Sequence, residues 1–232
     1  MQVGVGSGWG GAVVAVALAA VLGGCAKPAH DGGKNASGAS ATAGSKEARA
    51  RAAANGGSVG AAGSDCALPV RFDIAEHWKA EAIDAAAESS KSPKDSGGDL
   101  TGTPADSFLR QGPVTAACEI DAKPAGHIGF LRVWTGTGTS ADAGSVLREF
   151  VAAEDSVSEE TYHSVRTGGG LTGVEVEYLY TSKLLDETRK ETALAVSTPD
   201  GPVVLHLGGM DTEEHEAMRP AYELAKRTIE LT

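Results

Sequence analysis

The stretch ETALAVSTPDGPVVLHL, residues 191–207, decides the fold class of this chain. Two segments rich in Ala, Val and Leu, Glu191–Ser197 and Val203–Leu207, flank the sequence TPDG at Thr198–Gly201. These residues are typical of a tight turn, because proline presets its backbone angle and glycine adopts conformations closed to other residues. The pattern predicts two antiparallel strands joined as a hairpin, around which we expect a larger sheet.

Other segments with alternating apolar residues predict five more strands. They are Leu68–Ile74, Val114–Ile120, His127–Trp134, Glu160–Arg166 and Thr172–Tyr180. The third is apolar on both faces, which is typical of a strand in the middle of a sheet. In the last strand Glu175 and Glu177 alternate with Val and Tyr residues, so we expect one face of it to be solvated.

Two segments have the periodicity of amphipathic helices. One runs from Ala141 to Glu154, with Ser140 as its predicted N-cap. The other runs from Asp211 to about Leu231, and Asp211 with Glu214 resembles a capping box. Strands in succession with one internal and one terminal helix predict an α+β fold, an antiparallel sheet flanked by helices.

The N-terminal segment has the features of a lipoprotein signal peptide, predicted over residues 1–24. An uncharged apolar run, Ala12–Leu22, is too short to span a bilayer, and it ends in Leu22-Gly-Gly-Cys25, which resembles the bacterial lipobox. We expect Cys25 to carry the lipid. Met1–Gly11 lacks the Lys or Arg typical of such signals, which leaves open a start codon further upstream. The competing interpretation is a buried helix with an ordinary thiol.

Residues 25–64 are predicted to be the lipidated cysteine and a disordered tether. Ala, Gly and Ser dominate Ala26–Ser64, and such a composition cannot bury enough apolar surface to fold. We expect a flexible spacer between the membrane and one globular domain, residues 65–232. The chain would then lie at the outer face of the cytoplasmic membrane, anchored by its lipid after removal of the signal peptide.

The charge of the chain argues against a nucleic-acid partner. The net charge is −11, and five of the 20 Lys and Arg residues fall in the spacer, against two of the 31 acidic residues. The globular domain is therefore more acidic than the chain as a whole, whereas phosphate binding needs a basic face. The partners that we expect are the membrane, through the Cys25 lipid, and a protein of the envelope.

Cys66 and Cys118 remain after Cys25 is acylated, an even pair in an oxidising compartment. Each is in phase with the apolar residues of its strand, so both sulfurs point to the core if the strands are neighbours. We predict a disulfide between them. The alternative is two buried free thiols, which are common in protein cores.

The sequence contains no catalytic signature: no Gly-x-Ser-x-Gly elbow, no His-Glu-x-x-His pair and no phosphate-binding loop. We therefore predict no catalytic residue, no metal ligand and no cofactor. The best metal candidate is the cluster His206, Asp211, Glu213, Glu214 and His215. Acids in the first turn of a helix already complement its dipole, so whether this cluster binds anything stays open. The glycines of Thr167–Gly170 are interpreted as a turn.

One family resemblance covers about Ala67–Leu231. Phe72-Asp-Ile74 followed by His77-Trp-Lys79 resembles the opening of PsbP-like domains, and the hairpin with the long terminal helix from Asp211 fits the same α/β/α sandwich. That fold also occurs in LpqN-type actinobacterial lipoproteins, whose composition is similar to the Ala- and Gly-rich composition here. The resemblance implies a non-enzymatic partner or assembly factor of membrane and envelope complexes.

These observations favour a lipid-anchored binding or accessory protein of the cell envelope without catalytic activity. One rival hypothesis is a small envelope enzyme, metal-dependent through His206, His215 and the nearby acids. Another is a carrier that holds a small molecule or lipid in an apolar cavity between sheet and helices.

Overall fold

The computed structural model describes residues 52–84, 109–138 and 142–232. These residues belong to one compact unit, Lys46–Thr232. The predicted signal peptide, Cys25, most of the predicted tether and Ser140 lie outside the described residues. Within the described part, no helix has the length and apolar character needed to cross a membrane.

The described chain contains eleven strands and two α-helices. The strands are β1 (Asn55–Val59), β2 (Val70–Ala75), β3 (Lys79–Ala82), β4 (Arg110–Gln111), β5 (Val114–Asp121), β6 (Gly129–Gly136), β7 (Val157–Arg166), β8 (Thr172–Ser182), β9 (Glu187–Thr198), β10 (Gly201–Gly209) and β11 (Glu230–Leu231). The helices are α1 (Ala143–Ala152) and α2 (Thr212–Thr228). This order confirms the α+β class.

The large sheet is antiparallel and follows the order β3-β5-β6-β10-β9-β8-β7, with β4 paired to β5. The predicted hairpin is confirmed as β9–β10, closed by the pair Gly201–Thr198. Gly201 has a φ of 128°, and a side chain there would overlap the backbone of Gly136. Strand β6 lies between β5 and β10, which confirms its predicted interior position.

A small sheet, β1-β2-β11, corrects two boundaries from the sequence analysis. Asn55–Val59 was assigned to the tether, yet it pairs with β2 from Asn55–Ala75 to Val59–Phe72. Backbone pairing does not require apolar side chains, so its sequence NGGSV gave no strand signal. The terminal helix was expected to reach Leu231, but it ends at Thr228, because Ile229 is extended and β11 pairs with β2.

Both faces of the large sheet are covered. Helix α1 packs on one face through Leu147 and Phe150, while α2 and the small sheet cover the other through Tyr222 and Phe72. This corrects the expectation of a solvated face of β8 at Glu175, which lies beneath α2 and is only 7% exposed, whereas Glu177 on the same face is exposed as expected. Central strands such as β10 are consequently buried along nearly their whole length.

The predicted disulfide is present: Cys66 and Cys118 are bonded, with their Cα atoms 5.9 Å apart. The two residues are not on neighbouring strands. Cys66 precedes β2 of the small sheet, and Cys118 lies in β5 of the large sheet. The bond therefore ties the small sheet to the large one, and both cysteines are buried.

Side-chain caps begin both helices. Asp211 accepts a hydrogen bond from the backbone N–H of Glu214 at 2.8 Å, which confirms the predicted start of α2. Helix α1 begins with Asp142 as its N-cap, not the predicted Ser140, and the Asp142 carboxylate accepts from the N–H of Ser145 at 2.8 Å. Such caps satisfy backbone donors that have no partner within the helix.

Candidate functional site

The structure does not bring the predicted metal cluster together. His206 on β10 contacts Glu191, whereas His215 on α2 contacts Thr192, with Nε2 to Oγ1 at 3.0 Å. Because successive side chains of a strand point to opposite faces, Glu191 and Thr192 lie on different sides of the sheet. The two histidines are therefore separated by the sheet, and the interpretation of His206 and His215 as joint ligands is wrong.

The acids of that cluster have local roles at the start of α2. Asp211 is the N-cap, and Glu213 is exposed. The Glu214 carboxylate lies 3.2 Å from His127 Nδ1 and accepts from the backbone N–H of Ile128 at 3.3 Å. These contacts tie the first turn of α2 to the segment before β6.

A different polar cluster lies between the sheet and α1. We call Glu154, Tyr178, Glu191 and His206 the α1-face cluster. His206 Nε2 is 2.6 Å from Glu191 Oε2. The Tyr178 hydroxyl is 3.2 Å from the same Glu191 oxygen, 3.3 Å from His206 Nε2 and 3.0 Å from Glu154 Oε1. Three adjacent strands and the end of α1 thus converge on one point.

Residues outside the α1-face cluster donate hydrogen bonds that orient its two carboxylates. Gln111 Nε2 donates to Glu154 Oε1 at 2.6 Å, and Arg189 Nε donates to Glu191 Oε1 at 2.8 Å. The other oxygen of Glu154, Oε2, is buried and has no hydrogen-bond partner among the described residues. A buried carboxylate oxygen without a donor is costly, so it is the unsatisfied position of the cluster.

Aromatic rings surround His206. The Phe150 ring meets it edge-on, with centroids 5.4 Å apart, and the Tyr178 ring lies nearly parallel at 6.5 Å. Phe130 approaches its edge at 6.5 Å. These rings exclude water, and electrostatic interactions within the cluster are correspondingly stronger than at the surface.

The family of the chain follows from a match over most of its length. A family model described as an uncharacterised lipoprotein matches residues 36–229. The chain belongs to this lipoprotein family. No curated protein matches it. The family supports a membrane-anchored location in the envelope, while Cys25 lies upstream of the match and its lipidation stays a prediction.

In the α1-face cluster of the lipoprotein, each charged side chain shifts the pKa of its neighbours. Burial alone would raise the pKa of Glu191, but His206 and Arg189 outweigh it and lower this pKa to about 2. Burial opposes the charge on His206, yet Glu191 and Glu154 raise its pKa. For Glu154, burial and the Glu191 charge raise the pKa against the attraction of His206. His206 and Glu191 therefore form a buried ion pair.

This arrangement offers the ligand types of a metal site. One atom each from Glu154, Glu191 and His206 lies within 4.8 Å of the others. Imidazole and carboxylate groups at this spacing can hold a divalent transition metal. Glu154 also borders a surface cavity, together with Arg148 and Tyr162.

A second polar cluster, the α2-face cluster, consists of Glu175, Tyr222 and Lys226. The Tyr222 hydroxyl donates to Glu175 Oε1 at 2.8 Å, and Lys226 Nζ donates to the same oxygen at 2.9 Å. Lys226 also pairs with Glu223 at 2.6 Å. These contacts hold α2 against β8, so Glu175 has a structural role rather than the solvated one expected from its strand pattern.

Sequence reasoning named His206 but missed Tyr178, Glu191 and Glu154 as its neighbours. The hairpin turn fixes the register, in which Ala193 pairs with His206 and Glu191 pairs with Tyr178 across the next strand. Since Glu191 lies two residues from Ala193, it shares the face of His206. That signal was available in the sequence. The position of Glu154 was not, because it depends on how α1 crosses the sheet.

Proposed function

We propose that this lipoprotein is a lipid-anchored binding or accessory protein of the cell envelope, without catalytic activity of its own. One observation carries the proposal: the buried titratable side chains lie beneath the helices and are bonded mainly to each other. Glu191 is 3% exposed and His206 6%, and on the other face Tyr222 is fully buried. Such groups hold the core together and leave the outer surface for a partner.

The anchor of the proposed function is Cys25, joined to the domain by the predicted spacer. The domain begins earlier than the sequence indicated, because β1 starts at Asn55. Residues 26–51 would span on the order of 30 Å as a random coil. We propose that the domain works within this distance of the outer face of the cytoplasmic membrane.

The resemblance to PsbP-like domains supports a role in assembly. An antiparallel sheet with helices on both faces and a long terminal helix is the architecture that the resemblance implies. We propose on this basis that the chain is an actinobacterial relative of the LpqN type. Its partner would then be a protein of a membrane or envelope complex.

Detergent-phase partitioning tests the anchor. We expect the wild-type chain to enter the detergent phase and Cys25→Ala to stay in the aqueous phase, since a chain held by two or more acyl groups is stably bound to membranes. Equal partitioning of the two would refute lipid anchoring.

Crosslinking in intact cells followed by affinity capture tests the binding role. The matched control carries residues 1–51 fused to an unrelated folded domain, so that it shares the anchor and the spacer. We expect at least one envelope protein to crosslink to the lipoprotein and not to the control. Identical captured sets would contradict a partner for the α+β domain.

One observation favours a second candidate, a small metal-dependent enzyme. It is the convergence of Glu154, Glu191 and His206 near a surface cavity. A metal-dependent enzyme that uses His206 together with His215 has no support, because the two histidines lie on opposite faces of the sheet. Hydrolytic assays with the zinc-loaded chain would distinguish this candidate, since an accessory protein gives no turnover.

A further inference from the structure

We propose that the α1-face cluster is a binding site for one divalent transition-metal ion, with Glu154, Glu191 and His206 as protein ligands and Zn²⁺ as the representative ion. This inference goes beyond the anchored binding role. It is argued from the spacing of the ligand atoms, an unsatisfied oxygen, the hydrogen bonds that orient the carboxylates and a surface cavity beside Glu154.

The ligand atoms are close to the spacing that a metal requires. Around tetrahedral zinc, with bonds of about 2.0–2.2 Å, neighbouring ligand atoms lie about 3.3 Å apart. The three candidate atoms are all within 4.8 Å of one another. To admit the ion, Glu191 Oε2 and His206 Nε2, now 2.6 Å apart, would separate slightly, and His206 would release to solvent the proton that pairs it with Glu191.

Glu154 provides an independent sign of a ligand. Its Oε2 atom is buried and has no hydrogen-bond partner in the part of the chain that the structure describes. Buried polar atoms are nearly always satisfied, so an orphan carboxylate oxygen calls for an explanation. A metal ion would supply the missing positive partner at this atom.

Residues outside the cluster already donate hydrogen bonds to two of the proposed ligands. Gln111 donates to Glu154 Oε1, which also accepts from the Tyr178 hydroxyl, and Arg189 fixes Glu191 through Oε1, which leaves Glu191 Oε2 to contact His206. Metal-binding carboxylates are commonly oriented in this way by groups that do not touch the ion. The Glu154 and Glu191 side chains are therefore held in place before the ion arrives.

Tyr178 and the adjacent cavity complete the site. The Tyr178 hydroxyl lies 3.0 Å from Glu154 Oε1, 3.2 Å from Glu191 Oε2 and 3.3 Å from His206 Nε2, so it contacts all three proposed ligand residues. Glu154 also lines a cavity between the end of α1 and β7, with Arg148, Val151 and Tyr162 among the lining residues. An ion entering by this cavity would meet Glu154 first.

Titration calorimetry with Zn²⁺ on the full-length lipoprotein in detergent tests the site. We expect one saturable site in the wild type and at least a tenfold weaker affinity in Glu154→Gln, whose amide cannot replace an anionic ligand. The matched control is Glu175→Gln, a buried carboxylate on the opposite face of the sheet, which should bind zinc as the wild type does. Circular dichroism checks that each variant is folded.

Equal affinities of the wild type and folded Glu154→Gln would overturn the proposal, as would an equal loss in Glu175→Gln. If Glu154→Gln does not fold, X-ray absorption at the zinc edge of the loaded wild type decides the matter. We expect the scattering signature of one imidazole with oxygen ligands, and a zinc environment without imidazole would overturn the proposal. The anchored binding role does not depend on either result.

Discussion

His215 should make the stability of the domain fall in mild acid. Its ring is fully buried on α2, where Nε2 contacts Thr192 and Nδ1 has no hydrogen-bond partner within the described ranges. Burial, aided by the charge of Arg219, lowers the pKa of His215 from 6.5 to about 4. At pH 5 this histidine is therefore neutral in the folded chain and protonated in the unfolded chain.

The sign and size of the effect follow from proton linkage. Between about pH 4 and pH 6.5 the unfolded chain binds more protons than the folded chain at this position. The contribution of His215 is therefore fully present above pH 6.5 and is lost as the pH falls toward 4. For these two pKa values, the free energy of unfolding drops by about 2 kcal/mol from pH 7.5 to pH 5.

Urea unfolding at both pH values measures this loss. Fluorescence of the buried Trp78 and Trp134 follows unfolding, and Cys25→Ala serves as a lipid-free background. In His215→Gln the side chain keeps an amide near Thr192 but no longer titrates. Groups that titrate in both proteins cancel, so we expect the wild type to lose about 2 kcal/mol more than the variant. An equal pH dependence of the two would refute the reasoning.

Three further changes test the packing. Replacing Cys66 and Cys118 by Ser should lower the free energy of unfolding by about 4 kcal/mol, since the bond spans 52 residues. Urea unfolding measures this loss, and a loss that differs from that of the reduced wild type would contradict the prediction. In Tyr222→Phe, Glu175 loses a hydroxyl donor, which should lower the free energy of unfolding by about 1–3 kcal/mol in the same assay. An unchanged free energy would show that the Tyr222–Glu175 hydrogen bond does not stabilise the fold. Gly168→Ala should destabilise the fold by about 1–3 kcal/mol and lower the melting temperature, because the added methyl group would overlap the carbonyl of Arg227 at the end of α2. An unchanged melting temperature would show that the turn at Thr167–Gly170 can move away from α2.

Features that depend on a few consecutive residues were predictable from the sequence. The turn at Thr198–Gly201 and the Asp211–Glu214 cap are examples, because proline, glycine and aspartate act on backbone within three residues of themselves. The structure has both. The hairpin strands are longer than predicted, since backbone pairing continues beyond the apolar side chains.

Features that depend on distant partners were not predictable. Strand β1 has no apolar alternation, and it exists because the edge of β2 is available for pairing. The alternation around Glu175 correctly placed this side chain on the face of β8 opposite Val174 and Val176. Whether that face meets water depends on α2, which starts far along the chain. Tyr222 and Lys226 reach it from that helix and replace the water.

The two histidines that the sequence analysis grouped together show why burial alone does not determine charge. Both lie in the core, one on each face of the same hairpin, and burial opposes protonation of each. His206 faces the Glu191 carboxylate, which raises its pKa. His215 faces the Thr192 hydroxyl and lies near Arg219, and the attraction of Glu216 and Glu191 is too weak to offset its burial, so its pKa falls to about 4. Because Glu191 and Thr192 are consecutive on β9, a one-residue slip of this strand would exchange the two environments. The register set by the hairpin turn therefore decides which face of the sheet carries a buried charge.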